Sequence, residues 1–206
     1  MAQFGRFDEA FREVQLALKL DPYNYPAQSA YGLYLFYARR YHDAVVQLER
    51  TLKEKDFIYA HVVLGHVYAK LGVVSSGSAS SAYFEKAFRE AGIVAELERS
   101  PLTQSAPGGI VSPFSDCMYA LFNAMTGARA ASLVGLHSLE SNPDRASPVD
   151  LAQIYAALGE RDKALDLLEQ GAVYKDWLLL YLKVQPFFDS IRDSPRFREL
   201  LNRMAL

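Results

Sequence analysis

The sequence predicts an all-α fold, an α-α superhelix of antiparallel helix pairs, and three observations carry that prediction. A small residue, a bulky residue three later, a turn and a second small residue recur along the chain; the recurrence keeps its register; and all but one of the intervals between turns are nearly equal. Turn positions 5, 39, 72, 127 and 159 lie 34, 33, 55 and 32 residues apart. Three of the four intervals match a helical-pair period of about 34, and the fourth exceeds it by one insertion of about 21 residues.

The fullest copy is Ala152-Gln153-Ile154-Tyr155-Ala156-Ala157-Leu158-Gly159, continued by Ala164 and Leu168. A second copy is Gly32, Leu35, Arg39, Tyr41, Ala44 and Leu48, and a third is Gly65, Tyr68, Leu71 and Gly72. The chain opens on the second half of a copy, Gly5 to Ala10, and Ala120, Asn123, Gly127 and Ser132 hold the same slots later. Small residues at Gly32, Gly65 and Ala152 let one helix approach its partner closely, and Ala10, Ala44 and Ala164 supply the other side of that crossing. Tyr68, Tyr155, Leu48 and Leu168 fill the space between successive pairs.

Together with the helix-ending Asp21-Pro22 and Asn142-Pro143, these residues resemble the tetratricopeptide repeat. The resemblance implies a single solenoid over 1–206: a half repeat 1–22, repeats 23–56 and 57–92, an insertion 93–112, repeats 113–143 and 144–173, and a half repeat with terminal cap 174–206. Ser112-Pro113 and Ser147-Pro148 each supply an N-cap followed by proline in the first turn. The tract Ser75 to Ser81 replaces the third turn with a flexible loop, so the following helix is expected near Ser80 or Ser81. Ser100-Pro101 and Ala106-Pro107-Gly108-Gly109 break helix inside the insertion, while Ile93 to Arg99 can extend the helix before it. Trp177 to Leu182 is expected as a buried helix, and Asp193 to Leu201 as a charged capping helix. The stretch Tyr181 to Leu206 resembles the tail that closes such arrays in bacterial multidomain regulators.

Composition excludes several function classes. With 22 Lys+Arg against 24 Asp+Glu the net charge is −2, which gives no electrostatic footing for nucleic acid. The lone Cys117 excludes an internal disulfide or a cysteine-rich zinc site. No run approaches the roughly 20 apolar residues that span a bilayer, and the N-terminus has no signal-peptide pattern, so a cytoplasmic location is expected.

Catalytic motifs are missing. His61 and His66 stand five apart, without the spacing or intervening Glu of a helical zinc site. Cys117 stands near an expected helix N-terminus, which would lower its pKa, although a packed small residue is the simpler reading. The pairs Asp8-Glu9, Asp162 with Asp166, and Glu49 with Glu54 read as solvated helix surface. Neither a catalytic activity nor a metal or cofactor is expected.

The resemblance places a binding groove on the first helices of successive pairs. Its candidates are Ser29, Leu33, Phe36 and Tyr37 in the first full unit, and Val62, His66 and Lys70 in the second. Leu121 and Met125 follow in the third and Gln153 in the fourth. Of the Lys, Asn and Arg set that clamps a carboxylate in chaperone-binding members, only Lys70 is present, so no such clamp is expected. Crowded aromatics at Tyr31, Tyr34, Phe36, Tyr37 and Tyr41 favour an apolar peptide or partner protein. Because the chain opens on a second helix, Phe7, Phe11 and Val14 would face outward. The alternative is therefore a self-associating tail, a homodimer through that face, belonging to a larger regulator.

Overall fold

The computed structural model describes residues 1–100, 114–142 and 145–206, which contain helices and no strand. They form two compact units, Met1–Val94 and Ala95–Leu206.

In the first unit a single 3-10 turn, Ala2–Phe4, precedes α1 (Phe7–Leu20), α2 (Tyr25–Tyr37), α3 (Tyr41–Glu54) and α4 (Ile58–Val74). Helix α5 (Gly77–Arg99) starts here and runs past Val94. Each of α1 to α4 packs on its neighbour in sequence, and α2 also packs on α4. In the second unit, α6 (Phe114–Met125) pairs with α7 (Arg129–Glu140), and α8 (Pro148–Ala157) pairs with α9 (Arg161–Val173). There too the first helices of the pairs meet, α6 against α8. Two 3-10 turns, Trp177–Tyr181 and Pro186–Phe188, and helix α10 (Pro195–Arg203) close the unit against α8 and α9.

The recurring turn has one backbone solution. Gly5, Arg39, Gly127 and Gly159 all take left-handed φ values of 76°, 62°, 81° and 80°. In every case the next helix begins two residues later. A residue at positive φ reverses the chain while its amide still reaches back to a helical carbonyl. Gly159 donates to the Ala156 carbonyl and Arg39 to that of Phe36, so the arginine copies the glycine turn despite its Cβ.

Close helix approach is real where the small residues predict it. A Cβ added to Gly32 would stand 2.5 Å from Leu48, which is fully buried; Gly135, which the repeat pattern does not mark, also comes close to its neighbour, an added Cβ standing 3.2 Å from Ala120. Capping agrees at α8, where Ser147 Oγ accepts from the Asp150 amide and Asp150 returns an acceptor to the Ser147 amide. Ser112-Pro113 and most of the insertion lie outside the described residues.

Three expectations are corrected. The Ser/Gly tract is no loop: α4 ends at Val74, two residues intervene, and Gly77 opens α5 with φ 58°. Serines at a helix start find acceptors there, and Ser80 Oγ donates to the Gly72 carbonyl at 2.7 Å. Position 72, expected at a turn, lies inside α4 instead. Trp177–Tyr181 is a 3-10 turn rather than a buried helix; Leu179 and Leu182 point inward while Trp177 stays 60% exposed. The 3-10 period of about three residues brings those two leucines to one side.

Candidate functional site

The sequence-predicted groove residues are distributed unevenly between interior and surface. Of those on α2, Ser29, Phe36 and Tyr37 are buried, the two rings to 1% and 5% exposure, and Leu33 is half-buried. On α4, Val62 is buried, while His66 and Lys70 are half-buried. Thus α2 and α4 bring Leu33, His66 and Lys70 to partly accessible positions within one unit. In the other unit Leu121 and Gln153 are buried and Met125 on α6 is half-buried.

Interior packing explains the lost aromatics. The Phe36 ring centroid lies 5.7 Å from Tyr37 and 5.8 Å from Tyr41, so these rings fill the junction of α2 with α3. Burial holds His66 neutral by pushing its pKa down to about 4, since an imidazolium would lose its hydration there.

The outward-facing candidates are likewise engaged. Phe11 meets Tyr31 edge-on at 5.7 Å and carries the Arg40 guanidinium 5.5 Å from its ring centroid, while Phe7 stacks on Phe11. Val14 is buried, which corrects its expected exposure: its side of α1 is the one that packs on α2. The apolar residues that α1 and its end leave open are Leu16, Leu20 and Tyr23.

Polar ties that sequence reasoning missed hold consecutive pairs together. Tyr68 on α4 donates to Glu49 Oε1 at 2.7 Å, and Tyr155 on α8 donates to Glu140 Oε1 at 2.5 Å. In each unit, then, a tyrosine of a first helix reaches a glutamate of the preceding second helix. Glu49 and Asp166 are exposed, as expected, and also engaged: Glu49 is this acceptor, and Asp166 receives Arg196 at 2.6 Å. The signal lay in the tyrosine recurring at the interpair slot; the glutamate partner has no fixed spacing from it.

The other missed feature is His61. Its Nδ1 lies 2.5 Å from Glu90 Oε2 and its Nε2 lies 2.9 Å from Asp56 Oδ1. Ionised carboxylates only accept, so both ring nitrogens donate and the ring is an imidazolium. Burial opposes the charge, but the hydrogen bonds and charges of Glu90 and Asp56 outweigh it and raise the His61 pKa. The ring thereby ties the α3–α4 connection to α5.

Cys117 on α6 is half-buried. The helix N-terminus does not activate it, in keeping with the reading as a packed small residue: burial, then the negative charges of Asp150, Asp116 and Glu98, raise its pKa well above that of a free thiol. Among the described residues no group of three His, Cys, Asp or Glu side chains is arranged to hold a metal ion. Nor is any described helix long and apolar enough to cross a membrane.

No family model matches the sequence, and no curated protein matches it. The backbone nevertheless superposes on the crystal structure of a thermophilic TPR protein from Thermus thermophilus with a TM-score of 0.63. The match covers 98% of this chain and 93% of that one at 17% identity. The chain has a tetratricopeptide-type fold. Within that fold, this chain carries its own recurrent left-handed turns and packs first helices against each other inside each unit.

Proposed function

We propose that this tetratricopeptide-type chain is a non-catalytic interaction module that receives a peptide or partner-protein segment along the first helices of its pairs. The observation that supports it is the lateral packing of α2 on α4 and of α6 on α8, which makes each pair of first helices a continuous wall. On the α2–α4 wall, Leu33, His66 and Lys70 combine an apolar contact, a neutral imidazole and a cation. Such a set suits a short extended segment with an apolar residue beside an acidic one.

Photocrosslinking tests this. A benzophenone amino acid at Leu33 or Lys70 is expected to capture peptides from a random library with a shared apolar-acidic pattern, and one at exposed Glu13 is not. Equal capture at all three positions removes the reading.

A second reading is supported by the apolar run Leu16, Leu20 and Tyr23, with Leu20 81% exposed. In it the chain self-associates through α1, as the tail of a larger regulator would. Light scattering is expected to give a dimer that Leu16→Glu with Leu20→Glu dissociates; a monomer throughout sinks it.

A further inference from the structure

We propose that the cleft between α3, α4 and α5 is a binding site for an oxyanion, a carboxylate or phosphate presented by a ligand. This site is separate from the α2–α4 wall, and it stands or falls independently of the function proposed above. The cleft is open, with a volume of about 510 Å³, and is lined by Leu64 and Tyr68, both buried. Around it stand Lys53 from α3 and Lys86 and Arg89 from α5, all exposed.

Charge assignment decides what such a cleft attracts. Two carboxylates also line it, Glu49 and Glu90, but each already has a partner. Glu49 accepts from the Tyr68 hydroxyl, and Glu90 faces the His61 imidazolium, whose single charge it shares with Asp56. The cations are not so engaged. Lys53 and Arg89 make no hydrogen bond or ion pair among the described residues. Lys86 lies over the Tyr68 ring at 5.2 Å and over Tyr83 at 5.9 Å, which fixes its ammonium at the cleft while leaving its donors unused.

Three cations therefore face two carboxylates, one of them paired with an imidazolium, in an open cleft lined also by Leu64 and Tyr68, so positive charge is in excess there. A guanidinium offers paired N–H donors that match the two oxygens of a carboxylate or phosphate, and the two ammonium groups add charge from the flanks. The shared chemistry admits two sources, an acidic protein segment or a free small anion.

Amide chemical shifts of the full chain, titrated separately with inorganic phosphate and with a hexaglutamate peptide, test the site. Saturable shifts confined to α3 and α5 around the cleft are expected below about 10 mM ligand. Arg89→Ala and Lys53→Ala, both at exposed positions, are expected to weaken binding at least about fivefold, whereas Arg50→Ala, an exposed cation outside the cleft, leaves it unchanged. Glu49→Gln keeps the acceptor for Tyr68 and removes a negative charge, so it is expected to tighten binding about threefold. Phosphate binding as tightly as the peptide identifies a small anion as the source, and peptide binding without phosphate identifies an acidic segment. The site is refuted if neither probe saturates, if shifts spread over other surface cations, or if Arg89→Ala matches Arg50→Ala.

Discussion

The two helix pairs of the first unit, α2 with α3 and α4 with α5, are held together by different means. The α2–α3 pair is set by backbone: Arg39 at φ 62° makes the turn, and Gly32 admits Leu48. The α4–α5 pair lacks that turn; Ser75 is extended and Gly77 starts the next helix. Side chains hold it instead, through Gly72 against Phe84, Tyr68 stacked with Tyr83, Ser80 on the Gly72 carbonyl, and His61 on Glu90. A pair can thus lose the left-handed turn and stay joined where interhelix contacts replace that constraint.

The contrast predicts where each pair breaks. Gly32→Val is expected to have the largest effect, about 3 kcal/mol of destabilisation in urea unfolding, because the new atoms meet a fully buried Leu48 that has nowhere to move. Gly72→Val should cost about half as much, since the half-buried Phe84 ring at 2.7 Å can swing outward. Equal losses would show that both crossings are equally rigid.

Acidity probes α4 directly, because the pKa values of its two histidines are shifted in opposite directions. With the His66 pKa lowered to about 4, the unfolded chain binds the extra proton first, so stability falls as pH drops below the ordinary histidine value of 6.5. About 2 kcal/mol should be lost by this route between pH 7 and pH 5, and His66→Gln should flatten that part of the stability profile. His61 has a raised pKa, so its contribution is complete below 6.5 and disappears as pH rises through the folded-state value. His61→Gln should remove that alkaline loss, and an unchanged profile would refute the imidazolium bridge.

Smaller effects test the turns. Gly159→Ala places a Cβ at φ 80° and should cost about 1 kcal/mol. The converse change, Arg39→Gly, should stabilise by roughly 0.5 kcal/mol, reduced from the full value because Arg39 also donates to the Tyr37 carbonyl at 2.6 Å. A thermal shift of the wrong sign for either variant would separate these turns from one another.

Periodicity made the fold class legible. Small residues at Gly32 and Ala44, the turn at Gly159 and the Ser147 cap each act through local backbone or a crossing fixed by register, so the sequence alone determined that helices pair and where most of them turn. Binding residues were less legible, because a helix period says which positions share a face but not how deeply that face is covered. Phe36 and Tyr37 looked like ligand contacts from spacing and are interior because Tyr41 and the α2–α3 junction close over them. The tertiary structure decided what depends on distant partners: that Glu49 serves Tyr68, that Glu90 and Asp56 charge His61, and that Lys53 and Arg89 are left facing a cleft. Those pairings join residues on different helices, and their energies depend on separation and burial, which a one-dimensional pattern does not carry.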